Sequence, residues 1–209
     1  MALVKAPLLS LSASGAIGDA LVFSTWKGRA YVRSLVKPAN PKTGGQIGVR
    51  SAFKFLSQIW SDLGDTEQGT WEELADAASV APFNSFMKYN LLRNRNFLAP
   101  VQSYPAAEAL TADTIDTFSA TAGERQITID VSALNVETDN WGILLYRGLV
   151  TAFTPAFDNL IAVIHCESGV TAAFVDTPLV PDEYFYDAKA FTIDGVCSAL
   201  KGEISDTVV

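Results

Sequence analysis

The sequence predicts an α+β protein: an N-terminal arm, a β-hairpin and a small helical unit, followed by a seven-stranded β-sandwich. Three observations carry this. Residues 20–36 hold two strand-like segments around Lys27-Gly28; apolar residues between 47 and 97 recur at three- and four-residue steps; and beyond 113 short strand-like runs return about every ten residues. Hydrophobic residues make up 49% of the chain and charged ones 18%, a balance that excludes global disorder. At 209 residues the chain can bury a core without disulfide or metal staples.

Residues 1–13 mix apolar and small side chains without a helical period, and Pro7 removes a backbone donor, so they read as an extended arm. ALVFSTW and RAYVRSLV alternate β-branched and aromatic residues, and Lys27-Gly28 supplies a two-residue hairpin connection. Trp26 and Tyr31 then lie near the turn, with Lys27, Arg29 and Arg33 projecting beside them. Lys37-Pro38-Ala39-Asn40-Pro41 reads as a semi-rigid linker, since each proline fixes its own φ and extends its predecessor.

After Gly44-Gly45, the residues Ile47, Phe53, Leu56, Ile59, Trp60 and Leu63 outline an amphipathic helix with Arg50 and Lys54 on its other side. Thr70 and Glu73 have capping-box spacing, which predicts a second helix over 71–79. A third helix is expected over 84–97, ending on Arg93 and Arg95, where cations suit the helix dipole. The Pro-, Ala- and Ser-rich stretch 100–112 reads as a boundary, giving a domain over 1–105 and another over 106–209. Strands are expected at 114–120, 126–131, 141–146, 160–166, 172–176, 184–191 and 198–204. Leu179, Pro181 and Tyr184 have the spacing of a tyrosine corner, in which the phenol bonds a backbone group upstream.

Charge is distributed unevenly. Residues 1–54 hold eight Lys or Arg against Asp19, a net of +7, whereas residues 101–209 hold four against sixteen acids, a net of −12. No apolar run reaches the ~20 residues of a membrane span, and Lys5 precedes only a short apolar stretch, so neither a membrane partner nor a secretory leader is expected. Synthesis in the cytosol is the expectation. Cys166 and Cys197 are too few for a disulfide framework and read as small buried hydrophobes.

Enzyme chemistry finds little support in the residues. The lone histidine, His165, neighbours Cys166, but adjacent strand residues point to opposite faces, so both read as ordinary strand positions. Structural zinc needs four Cys or His ligands, and the chain has three such residues. Asp182, Glu183 and Asp187 read as solvated carboxylates rather than a calcium cage. Gly44-Gly45-x-x-Gly48 lacks the Gly-Lys-Ser/Thr ending of a phosphate loop and reads as a flexible helix entry. No catalytic residue, cofactor or metal is expected.

What remains is an interaction surface: Trp26, Lys27, Arg29, Tyr31, Arg33 and Arg50. Cations interleaved with aromatics suit nucleic-acid phosphates and bases, or the acidic face of a protein. A sequence pI near 4.6 favours the protein partner and makes nucleic acid the lesser reading.

Two resemblances add to this. GERQITIDVS, NWGILLYRG and YFYDAKAFTIDGVCSALKGEIS make residues 113–206 similar to a fibronectin type III or immunoglobulin-like domain, with Trp141 in the third strand following the immunoglobulin habit. Residues 12–60 resemble an uncharacterised group of proteins encoded by tailed bacteriophages and prophages. They are matched here by Gly15 and Gly18, Trp26 to Arg29, Pro38 and Pro41, and Gln46 with Arg50. That resemblance implies a virion structural protein assembled in the host bacterial cytoplasm. It would be capsid-associated as a decoration, cement or head-vertex protein, with a head–tail connector or tail component as runner-up. Its partners would be capsid, portal or tail subunits and further copies of itself in the particle. A host- or carbohydrate-binding module is the remaining alternative, with Phe153, Phe157, Tyr184 and Phe185 as candidate contacts.

Overall fold

A computed structural model describes residues 2–3 (backbone only), 14–18, 20–37, 43–133, 140–166 and 171–209. The remainder of the expected arm, and the prolines of the expected linker, lie outside the described residues. Compactness divides the chain into two units, Met1–Pro41 and Lys42–Val209.

The first unit is a four-stranded antiparallel sheet of β1 (Ala2–Leu3), β2 (Gly15–Ile17), β3 (Leu21–Trp26) and β4 (Arg29–Ser34), in the order β1-β4-β3-β2. The β3–β4 hairpin is the one its alternation predicts. None of its described side chains is buried.

The second unit has three layers. Helices α1 (Gly44–Trp60), α2 (Asp65–Gly69), α3 (Glu72–Ala78) and α4 (Pro82–Arg95) cover one face of a sheet ordered β11-β10-β7-β8. Its strands are β7 (Asn140–Gly148), β8 (Leu160–His165), β10 (Glu183–Thr192) and β11 (Ile204–Thr207). The other face packs on a sheet ordered β5-β6-β9, built from β5 (Ile115–Gly123), β6 (Gln126–Ala133) and β9 (Ala172–Asp176). Helices beside antiparallel sheets bear out the α+β class.

Being covered on both sides explains why β7 reads as a continuous apolar run. Ile143 and Leu145 point into the core between the sheets, with Ile127, Ile129 and Val131 of β6 and Tyr186, Ala188 and Ala190 of β10. Leu144 and Tyr146 point outward into a helical core with Phe55, Leu56, Trp71 and Phe86. Trp141 joins this outer core rather than the space between sheets. The register shifts between Phe191 and Thr192, and the Trp141 ring meets Phe55 at 5.2 Å and Phe191 at 5.9 Å. The immunoglobulin-like position expected for Trp141 is thereby corrected.

The division expected at 105/106 is also corrected. The stretch read as a boundary is tied into the helical core: Ala99 and Val101 are fully buried. Asn90 donates from Nδ2 to Val101 O at 3.0 Å and accepts from Val101 N–H at Oδ1 at 2.7 Å. Trp71 Nε1 donates to Gln102 O at 2.8 Å. Prolines stiffen this strap without freeing it, because its backbone groups find partners inside the fold.

Further corrections are local. Thr70 caps nothing: its hydroxyl donates to Glu67 O at the end of α2, a helix the pattern did not suggest, and accepts from Tyr104 N–H, while α3 starts at Glu72. The buried stripe of α1 runs through Gly48, Ala52, Phe55, Leu56 and Ile59, leaving Phe53 50% exposed. A Cβ on Gly48 would stand 2.5 Å from Leu160 O, and one on Gly44 2.5 Å from Asp158 O. These glycines therefore serve close packing against β8 and the turn before it, not flexibility. The last strand lies at Ile204–Thr207 rather than 198–204, because Ser198 and Lys201 meet the β10 backbone through isolated bonds, to Ala190 O and Ala188 O and from Ala190 N–H to Ser198 Oγ, and not through a continuous ladder. The tyrosine corner is present: Tyr184 Oη donates to Val180 O at 3.1 Å.

Candidate functional site

The hairpin of the first unit brings most of the expected surface together. Its tip residues Lys27 and Gly28 have φ of 48° and 76°, the two positive values that a type I′ turn requires. Register then sets the faces: Trp26 stands opposite Arg29, Ser24 opposite Tyr31, and Val22 opposite Arg33. Directly opposed residues share a face and side chains alternate along each strand, so these six lie on one side of the sheet. Trp26 is 63% exposed, Arg29 and Arg33 are exposed, and Tyr31 is half-buried. Lys27 Nζ sits 4.9 Å from the Trp26 ring centroid, a cation–π contact worth about 0.5–1 kcal/mol at an exposed site. Among the described residues no carboxylate forms an ion pair with Lys27, Arg29 or Arg33.

The opposite face, which sequence reasoning did not single out, carries Ile17, Leu21, Phe23, Ala30 and Val32 and, among the described residues, no charge. The alternation that fixed the cationic face could have revealed it, since the same register sends every second residue to the other side. Arg50, the sixth candidate, lies on the exposed side of α1 in the second unit, not on this sheet.

In the second unit the residues weighed for chemistry have structural surroundings. His165 ends β8 exposed on the helix-facing side, 6.4 Å from the Phe55 ring, while Cys166 is buried between the sheets. Asp187 is not a solvated carboxylate: it is buried, its Oδ1 accepts from the Ala188 and Gly202 N–H groups, and burial pushes its carboxyl up. Burial would likewise raise Asp194, but donors from Thr192, Leu110, Ala109 and Val196 outweigh it and hold that carboxyl below the usual range. Arg147 Nη1 bonds both oxygens of Asp176, at 2.9 and 2.7 Å, and Tyr186 Oη donates to Asp176 at 3.0 Å, which joins the two sheets. Tyr184 and Phe153 are drawn inward, one into the corner and the other against Gly148, so neither offers the free ring of a sugar platform.

A concavity beside α2 and α3 combines carboxylates with aromatic walls. Trp60, Pro82 and Phe83 line an open hollow of about 450 Å³ together with Asp65, Gln68 and Glu72. Its carboxylates belong to a longer acidic surface. Asp62, Asp65, Glu72, Glu73 and Asp76 are exposed, Glu67 is half-buried, and residues 55–87 contain no Lys or Arg at all. That absence was legible in the sequence, though the larger contrast between the chain's two ends obscured it.

No family model matches the chain, and no curated protein does. Among solved structures, a β-1,2-glucanase from Parabacteroides distasonis aligns at 21% identity over 48% of this chain and 13% of that one, with a TM-score of 0.36. The PKD domain of an M14-like peptidase from a Thermoplasmatales archaeon aligns at 20% identity over 47% of this chain and 98% of that one, with a TM-score of 0.31.

Proposed function

We propose that this chain is a structural protein of a bacteriophage virion, associated with the capsid as a decoration, cement or head-vertex component and anchored by its hairpin unit. The observation that carries this reading is the one-sided hairpin: Trp26, Arg29, Tyr31 and Arg33 on a single face, with Trp26 63% exposed and no described residue of the unit buried. A sheet this small gains stability by covering its faces with another surface, and an aromatic residue among cations that have no ion-pair partner among the described residues suits a docking contact with an acidic protein. The likeness of residues 12–60 to phage-encoded proteins supplies the virion setting.

For the second unit, the strand orders β5-β6-β9 and β11-β10-β7-β8 about one core, with a tyrosine corner before β10, support a fibronectin type III or immunoglobulin-like module. Helices α1 to α4 are an addition on its outer face. In this reading the module carries most of the acidic surface and keeps the projecting part of the protein soluble.

Incorporation into particles tests the anchoring. Replacing Lys27, Arg29 and Arg33 with Glu is expected to lower the copies per particle by about tenfold or more, as reversal at a charge-steered interface does. Unchanged incorporation would sink the docking role.

A further inference from the structure

We infer that the hairpin's partner is a second copy of this chain, with Trp26 and Lys27 of one copy entering the acidic hollow beside α2 and α3 of the next. This rests on the docking role proposed for the hairpin but not on where in a particle the protein sits.

Three observations converge. The first is charge: residues 1–41 carry five Lys or Arg against one acid, and residues 42–209 carry ten against twenty-two, so every copy holds both a cationic surface and its complement. The second is shape and chemistry. The hollow has Trp60, Pro82 and Phe83 as apolar walls, and Asp65 and Glu72 as anions. An indole with an ammonium stacked on it needs that combination, since the ring wants apolar and edge-on aromatic contacts while the cation wants carboxylates at the rim. The third is that neither side has an ion-pair partner among the described residues. Trp26 is 63% exposed, and neither Asp65 nor Glu72 forms an ion pair with a described residue.

The walls of the hollow are also packed onto the core. The hollow is walled by Trp60 and Phe83, whose rings meet at 5.8 Å, and Trp60 packs in turn on fully buried Phe86 at 5.1 Å. A tip entering a preformed hollow loses less ordering entropy than one that must shape its site. Because hairpin and hollow are different surfaces, the contact is head to tail, and it generates a ring where the rotation closes and a filament where it does not.

Sedimentation of the full-length chain tests this directly. The expected result is concentration-dependent self-association that weakens as salt rises from about 50 to 500 mM, because the charges involved are exposed. Trp26→Ala is expected to weaken it by about tenfold or more, as removal of a central aromatic anchor does. Two charge-reversed chains sharpen the test, one with Lys27, Arg29 and Arg33 changed to Glu, the other with Asp65→Lys and Glu72→Lys. Each should be monomeric alone, and an equimolar mixture should recover the head-to-tail association with the two chains alternating, because the Glu hairpin meets the Lys hollow and the unchanged hairpin meets the unchanged hollow. Circular dichroism of each checks that these surface changes leave the fold intact. A wild-type chain that stays monomeric at low salt overturns the inference, as does association that both charge-reversed chains retain. Loss of particle incorporation by the hairpin variant alongside a monomeric wild type would leave the anchoring role standing and remove the second copy as partner.

Discussion

Trp26 and Trp71 show how differently the two units use the same side chain. Trp71 has no exposed surface, donates its indole N–H to Gln102 O, and packs against Phe86, Tyr89 and Tyr104 with centroids 5.3 to 5.7 Å away. Trp26 sits at the tip of a hairpin, 63% exposed, with Lys27 over its ring. In the second unit aromatic area is already buried within the chain, and it holds helices to sheet. In the first it is left over, and surplus apolar area on a small sheet is what an interface consumes. The difference separates residues whose aromatic area is consumed inside the fold from those whose area is left for the docking contact proposed above.

Substitutions should follow that division. The largest effect is expected from Trp71→Ala, which removes a fully buried ring from contact with three others and leaves Gln102 O without its donor. A loss of about 3–5 kcal/mol in urea-induced unfolding is expected, and a loss below about 1 kcal/mol would mean that the helical layer does not depend on this ring.

An intermediate effect, with a pH signature, is expected at Asp194. Its carboxyl is depressed in the folded state, so its contribution is present above the unfolded carboxylate value, near pH 4, and is lost as pH falls through the lower folded value. Asp194→Asn cannot accept from Ala109, Leu110 and Thr192 at once. The variant should lose about 2 kcal/mol at neutral pH, as for hydrogen bonds to a charged group, and its stability should change less than wild type between pH 5 and 2. Parallel pH profiles for the two proteins would remove Asp194 from this role. Asp187 works the opposite way: its carboxyl is raised by burial, so its contribution is fully present at low pH and fades as pH climbs through the folded value.

The smallest effect on stability is expected from Trp26→Ala, within about 0.5 kcal/mol of wild type in the same unfolding measurement. A destabilisation comparable to that of Trp71→Ala would show that the hairpin tip supports the fold, and the contrast between the units would collapse.

Much of this was readable from sequence. Period-two alternation located β3, β4 and β6, the spacing of strand-like runs located β9, and Lys27-Gly28 placed the tip, because these signals are local: strand sterics, turn residues and the φ of one glycine. The class and the hairpin followed from them, while the shared face of Trp26, Arg29, Tyr31 and Arg33 is set by the register of the two strands. What was missed depended on long-range contacts. The buried side of α1 runs through Gly48 and Ala52, which hydropathy ignores, and it is fixed by how near β8 approaches. The strap at 99–110 looks like a linker by composition, yet Asn90, Trp71 and Asp194 claim its backbone groups from helices and from a loop beyond β10. Trp141 changed layers through one shift of register, which no periodicity announces. The acidic hollow required α2, and nothing in the sequence pattern proposed that helix.

The close seating of α1 on β8 bears on what kinds of association this protein can undergo. A strand at the rim of a sheet offers unmatched N–H and C=O groups to any extended chain, and so invites uncontrolled accretion. Here Gly44 and Gly48 let a helix lie against that rim, and Ser51 Oγ takes the Val163 N–H at 2.8 Å. Main-chain templating along this side of β8 is thereby obstructed. In the assembly proposed above, a closed rim leaves copies to meet through side-chain chemistry with a defined register and not through an open ladder that would accept any strand.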